Sequence, residues 1–246
     1  MEVIKLQKLY WLYLTNCSIR GQIPEGIGNL TLLENLELSD NDLSGEIPWR
    51  IIRLGWLWQL ELYNNSLTAF KEPVDRRFQR SSESSRILPN SLYANRWTSS
   101  LPPKLGSWAD FNYIDVSDNS LTGSISSDMC KNGKMTYLLL LDNKLTGTIS
   151  VAYVNYSSFV RVHLCNNLIT SAVLAGIWGL LNLIIIDHVA NQLKGSIKSD
   201  IRSRIWGLLN LIIITGSDVR SIFLGLDSIE FEWICGKYSS TIGNLI

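Results

Sequence analysis

Residues 33–54 read LENLELSDNDLSGEIPWRIIRL, and the apolar positions Leu33, Leu36, Leu38, Leu43, Ile47, Ile51 and Leu54 set a frame around Asn41, Gly45 and Pro48. Carried forward so that Leu33 falls on Leu57, the frame returns Leu57, Leu60, Leu62, Asn65 and Leu67. Carried back by the same step, it returns Leu9, Leu12, Leu14, Ile19, Gly21, Ile23, Pro24, Ile27 and Leu30, with Cys17 in the asparagine slot. Downstream it collects Ile114, Val116, Asn119, Leu121 and Gly123, then Leu138, Leu140, Asn143, Leu145 and Gly147. It continues through Val162, Leu164, Asn167 and Ile169 to Leu183, Ile186, Asn191, Leu193 and Gly195. Asn95, Asn119, Asn143, Asn167 and Asn191 are evenly spaced at that same step, whereas the interval from Asn65 to Asn95 is longer. Self-similarity held in register over so many units marks a repeat architecture.

Each unit reads L-x-x-L-x-L-x-x-N-x-L, the leucine-rich-repeat signature, in which L-x-L is a short strand stacked in parallel on its neighbours. One unit cannot bury its own leucines, but a stack can. The recurrent Asn falls where the chain leaves the strand, and its amide can donate to and accept from backbone groups of adjacent coils. The expected fold class is an α/β repeat solenoid, a curved right-handed superhelix with a parallel β-sheet on its concave face. About eight coils at about 4.8 Å per strand make a sheet roughly 35–40 Å long.

The frame divides the chain into N-terminal repeats over 1–72, a junction over 73–90, C-terminal repeats over 91–204 and a degenerate tail over 205–246. The junction is charged and rich in serine. The tail opens with Ile205–Ile214, IWGLLNLIII, identical to Ile177–Ile186; Val219 then takes the asparagine slot, and 217–246 keeps no frame. Open ends of a parallel stack expose apolar surface and strand edges, so a chain without polar caps is expected to be marginally stable or to self-associate.

With 22 basic against 22 acidic residues the formal charge is zero, which gives no electrostatic footprint for nucleic acid. Cys17, Cys130, Cys165 and Cys235 have no metal-ligand spacing, and His188, in an inward slot, has no second ligand nearby, so neither metal nor cofactor is expected. The most apolar run, 173–186, is shorter than the roughly 20 residues a membrane span needs. Met1–Leu6 has no basic region leading into a long apolar core, so no signal peptide is read there. Neither an H-R-D nor a D-F-G triplet occurs, and no enzyme activity is expected of this chain.

The G-x-I-P extensions at Gly21–Pro24 and Gly45–Pro48 look like the plant-specific form of the repeat. The stretches Pro24–Leu30, Leu105–Trp108, Tyr113–Ser117 and Gly176–Leu180 resemble ectodomains of plant leucine-rich-repeat receptor-like kinases, the HAIKU and HAESA-like group above all. The resemblance covers 2–72 and about 91–204. It implies a secreted peptide as ligand, a co-receptor kinase as partner, and a plasma-membrane or extracellular location. Such receptors also carry a secretory signal, a membrane helix and a kinase domain, so the resemblance makes this chain a truncated, rearranged ectodomain. It further implies a cysteine partner for Cys130 in the next coil, but Tyr156 stands there, which leaves Cys130 unpaired.

Side chains alternate along a strand, so residues flanking the inward leucines face the concave side. These are Trp11, Tyr13 and Thr15; Asn35, Glu37 and Ser39; Gln59, Glu61 and Tyr63; Tyr113, Asp115 and Ser117; Tyr137, Leu139 and Leu141; Arg161, His163 and Cys165. The residues singled out for peptide binding are Arg161, His163, Tyr137, Tyr113, Asp115, Glu61, Tyr63 and Glu37. By the resemblance, Arg161 takes the place of the first arginine of an R-x-R clasp for a peptide C-terminal carboxylate, with His163 in place of the second. Sequons begin at Asn16, Asn29, Asn64 and Asn155, at turns or on the convex side, and fit a secretory ancestry. The reading is a non-enzymatic binding solenoid from a receptor ectodomain. Its alternatives are a soluble interaction or hydrolase-inhibitor protein, and a degenerate product without binding activity.

Overall fold

A computed structural model describes residues 2–71, 89–101, 112–131 and 133–170, together with 177, 180, 182, 183, 185–187, 191, 192 and 212–214. Most of the charged junction and of the tail, with Leu105–Trp108, His188, Val219 and Cys235, lies outside them. The L-x-L segments form three-residue strands: β1 (Trp11–Tyr13), β3 (Asn35–Glu37), β5 (Gln59–Glu61), β7 (Pro89–Ser91), β8 (Tyr113–Asp115), β9 (Tyr137–Leu139), β10 (Arg161–His163), β11 (Ile185–Asp187) and β12 (Ile212–Ile214). They stack in chain order as one parallel nine-stranded sheet. A smaller parallel sheet joins β2 (Arg20–Gly21), β4 (Asp42–Ile47) and β6 (Ser66–Phe70), which lie on the G-x-I-P side of the first three coils.

Register follows the frame: Leu12, Leu36 and Leu60 lie opposite one another, as do Ile114, Leu138 and Val162. Each is buried, and all but Leu12, on the edge strand, are fully enclosed. Three of the convex connections are single 3-10 turns, at Glu25–Asn29, Trp49–Arg53 and Val151–Asn155, and the one between β8 and β9 is a turn over 127–131. Pro24 and Pro48 sit at the N-caps of the first two, where a fixed φ starts the turn without losing a needed N–H. Gly45, at φ +78°, supplies the left-handed conformation before Ile47 and Pro48. Strand β12 pairs with β11 so that Ile185 lies opposite Ile212, one position out of step with the sequence duplication, in which Ile185 corresponds to Ile213. No helix among the described residues is long and apolar enough to cross a membrane.

The asparagine ladder ties the coils together. Asn143 donates through Nδ2 to the carbonyls of Val116 (3.0 Å) and Leu141 (3.0 Å), and its Oδ1 accepts the Leu121 N–H at 2.9 Å. Asn41, Asn65, Asn95, Asn119 and Asn167 repeat that pattern, each joining its own coil to the one before. Asn191 extends it by accepting from Ile169 and donating to Leu164. The residue before six of these asparagines turns through positive φ: Asp40, Asn64, Ala94, Asp118, Asp142 and Asn166 all lie at φ 51–54°. Asn and Asp tolerate this region through local hydrogen bonds, and Ala94 is the exception in the series.

Candidate functional site

The parallel register aligns the outward residues in rows across the sheet. A first row runs Trp11, Asn35, Gln59, then Tyr113, Tyr137 and Arg161. A central row runs Tyr13, Glu37, Glu61, Ser91, Asp115, Leu139 and His163. Just beyond each strand, two positions further on, lie Thr15, Ser39, Tyr63, Tyr93, Ser117, Leu141 and Cys165.

These positions are not equally open. Trp11 and Tyr13 on the edge strand are 59% and 52% exposed, and Glu37, Glu61, Tyr63, Tyr113, Tyr137 and Arg161 are half-buried. Asp115, Leu139, Leu141, His163 and Cys165 are buried, with His163 only 2% exposed. Facing the concave side thus does not by itself leave a side chain open to solvent. Strands about 4.8 Å apart close in an interior residue from both sides, whereas an edge residue has a neighbour on one side only. His163 accordingly does not stand beside Arg161 as a second exposed arm. The Arg161 guanidinium lies 5.7 Å from the Tyr137 ring centroid, and its buried Nε has no hydrogen-bond partner among the described residues.

Polar side chains in the first coils form a chain of amides. Asn35 donates through Nδ2 to the Tyr13 hydroxyl (2.9 Å) and to Gln59 Oε1 (3.1 Å), and Gln59 Nε2 donates to Glu37 Oε1 (3.1 Å). Burial pushes the Glu61 carboxyl up to about 7; the Glu37 charge beside it adds to this, the Gln59 hydrogen bond opposes it, and Asp115 contributes a smaller rise. Burial likewise raises Asp115 to about 6, against hydrogen bonds from the Ser117 N–H (3.0 Å) and the Tyr113 hydroxyl (3.4 Å). Glu37 is raised by burial, and the Tyr93 and Tyr113 phenols are driven up by burial and by the carboxylates near them. Tyr63 and Tyr93 stack with ring centroids 4.7 Å apart, and Tyr113 meets Tyr137 edge to face at 5.9 Å.

All four sequon asparagines, Asn16, Asn29, Asn64 and Asn155, are exposed. Asn16 and Asn64 occupy the positive-φ turn, where Asn64 donates to Asp40 at 2.7 Å. Cys130 is a buried thiol outside any disulfide, and burial pushes its pKa up. Among the described residues no group of His, Cys, Asp and Glu could hold a metal ion. Two features went unread in the sequence: the exposed Trp56 and Trp58, and a polar cleft of ≈ 450 Å³ lined by Asn16, Ser18, Asp40, Asn41, Asp42 and Asn64. The recurrent Asx pair at each strand exit was the signal for the cleft.

The stacked parallel strands, buried leucines and asparagine ladder define a leucine-rich-repeat solenoid, a fold whose own repertoire is binding and not catalysis. The Leucine Rich Repeat family model matches residues 8–30 and 32–54. The chain is similar to Receptor-like protein kinase 7 of Arabidopsis thaliana, at 64% identity over 31 residues, 13% of this chain and 3% of that protein. Among solved structures it resembles PEPR1–AtPEP1, with a TM-score of 0.74 and 26% identity over 87% of this chain and 29% of that one. It also resembles the Arabidopsis receptor kinase HAESA in complex with the peptide hormone IDA and the co-receptor SERK1. There the TM-score is 0.55 and the identity 30%, over 88% of this chain and 42% of that one. This chain thus spans less than half the length of the receptors it resembles. Its likeness is to plant receptor-kinase ectodomains, and the general capacity that follows is ligand binding.

Proposed function

We propose that this solenoid is part of a plant receptor-kinase ectodomain that takes an extended, secreted peptide along its concave sheet at the outer face of the plasma membrane. The observation that carries the reading is the register. Six strands, in two evenly spaced runs of three, present rows of tyrosines, carboxylates, amides and one arginine, from exposed at the edge strand to buried at Asp115, on a rigid surface. Such a surface binds side chains at fixed intervals with little ordering of the receptor itself. The likeness to a receptor solved with a peptide hormone and a co-receptor supports both the ligand class and a co-receptor kinase as partner.

Arg161 is the group suited to a terminal carboxylate, since its guanidinium offers a planar fork and Tyr137 holds it in place. His163, two residues further along the same strand, is buried and is not offered as a second arm of that clasp. Glycans on the four exposed sequons would cover turns and the convex side and leave the sheet face open.

Calorimetric titration of a panel of secreted plant peptides into the full chain tests this. A saturable complex that Arg161→Ala weakens about tenfold or more supports the reading, since hydrogen bonds to charged groups carry that much. Binding untouched by Arg161→Ala removes the carboxylate role. Inhibition of a cell-wall hydrolase without peptide binding would replace the receptor reading with the inhibitor one.

A further inference from the structure

Glu37 and Glu61 lie directly opposite one another on neighbouring strands, and Ser91 and Asp115 continue the same row over the next two. Three carboxylates thus share one strip four strands wide. Over β1 to β9 the three outward rows contain no lysine or arginine; the first cation is Arg161 on β10. Among the described residues the strip is therefore a row of acceptors with no cation in the neighbouring outward rows.

Two further atoms point the same way. The Ser91 Oγ, in a residue 5% exposed between Glu61 and Asp115, has no hydrogen-bond partner among the described residues. The Asn35 Oδ1, also in a residue 5% exposed, is equally unpartnered, although both neighbouring amide groups of Asn35 and Gln59 are engaged. Native proteins rarely leave buried polar atoms unsatisfied, and a bound group is one way such atoms are satisfied. The amide and phenol donors beside it are engaged: Gln59 Nε2 goes to Glu37, and the Tyr113 hydroxyl to Asp115. What the strip lacks is N–H donors. The stacked rings of Tyr63 and Tyr93 border it one row away and offer an aromatic wall to a cation.

We infer that this strip is a docking site for a cationic side chain, best an arginine, of an extended ligand. A guanidinium brings five donors and no acceptor, which complements carboxylates, an amide oxygen and a hydroxyl together. The inference rests on the peptide-binding reading and gives it a polarity: basic residues over β3 to β8, and a carboxylate toward Arg161.

Random peptides displayed on phage are selected against the full chain and, in parallel, against the Glu37→Gln, Glu61→Gln double variant, at about pH 8 so that the carboxyls are ionised. The expected result is enrichment of Arg and Lys with the natural chain and loss of that enrichment with the variant. The tightest peptide is then resynthesised with citrulline, uncharged and nearly isosteric, in place of each arginine, and should bind about tenfold more weakly or worse. That comparison needs only the natural chain, so it decides the matter even if the variant folds poorly. Selected peptides without basic enrichment, or a citrulline twin that binds equally, overturn this site while leaving peptide binding intact. A selection that yields no binding peptide overturns both.

Discussion

Replacing Glu61 with Gln should make the chain more stable at pH 8 and leave it nearly unchanged at pH 4. The folded carboxyl titrates at about 7 because burial and the neighbouring Glu37 charge disfavour its ionised form, against an ordinary value of 4.5. A group whose folded value is raised contributes stability that is fully present below the unfolded value and is lost as pH rises through the folded one. The window is therefore about pH 4.5 to 7. At 1.36 kcal/mol per pH unit, the whole effect is about 3 kcal/mol. For a chain of this size that corresponds to roughly 6–12 °C in Tm. Gln keeps the shape and the hydrogen-bonding capacity, and removes only the charge. The assay is a pair of thermal melts, natural chain and Glu61→Gln, followed by circular dichroism at intervals from about pH 4 to about pH 8. The natural chain should lose stability across the window while the variant shows a shallower slope, the residue of Asp115 and Glu37 titrating in the same direction. Parallel pH dependences, or a variant less stable at pH 8, would refute the account of a buried, charge-crowded carboxylate.

Asn143→Ala should cost about 1–3 kcal/mol in a denaturant melt, because it leaves the buried Leu121 N–H without its acceptor and removes one of the two amide donors to the Val116 carbonyl, the other being Asn119. Ala94→Asn should gain about 0.5–1 kcal/mol, since Ala94 holds a left-handed turn that asparagine tolerates better; a loss would mean that its φ of 51° carries no strain. Under native conditions Ellman's reagent should label the exposed Cys17 within minutes and reach the buried Cys130 only on unfolding.

The repeat was legible because it is a matter of spacing: leucines and asparagines at a fixed interval specify strand, register and ladder without any reference to the rest of the chain. The face of each outward residue could be read from alternation alone. Its environment could not. Tyr13 and His163 hold equivalent slots, yet one is half exposed and the other enclosed, since exposure depends on neighbours a full repeat away on either side. The same limit hid the Glu37–Glu61–Asp115 row. Sequence alone presents them as separate contacts, whereas register makes them one strip.

Asn95 accepts from the Leu67 N–H at 3.0 Å and donates to the Leu62 carbonyl at 3.0 Å, although the stretch from Asn65 to Asn95 is longer than any other between neighbouring ladder asparagines. The contour length of a coil is thus decoupled from the bond that fastens it to its neighbour. A builder who wishes to splice a fluorophore tag or an extra helix into this scaffold has a natural precedent for where to cut: between the β6 segment and β7. Length variation can accumulate there over generations while the spine of the molecule keeps its gauge.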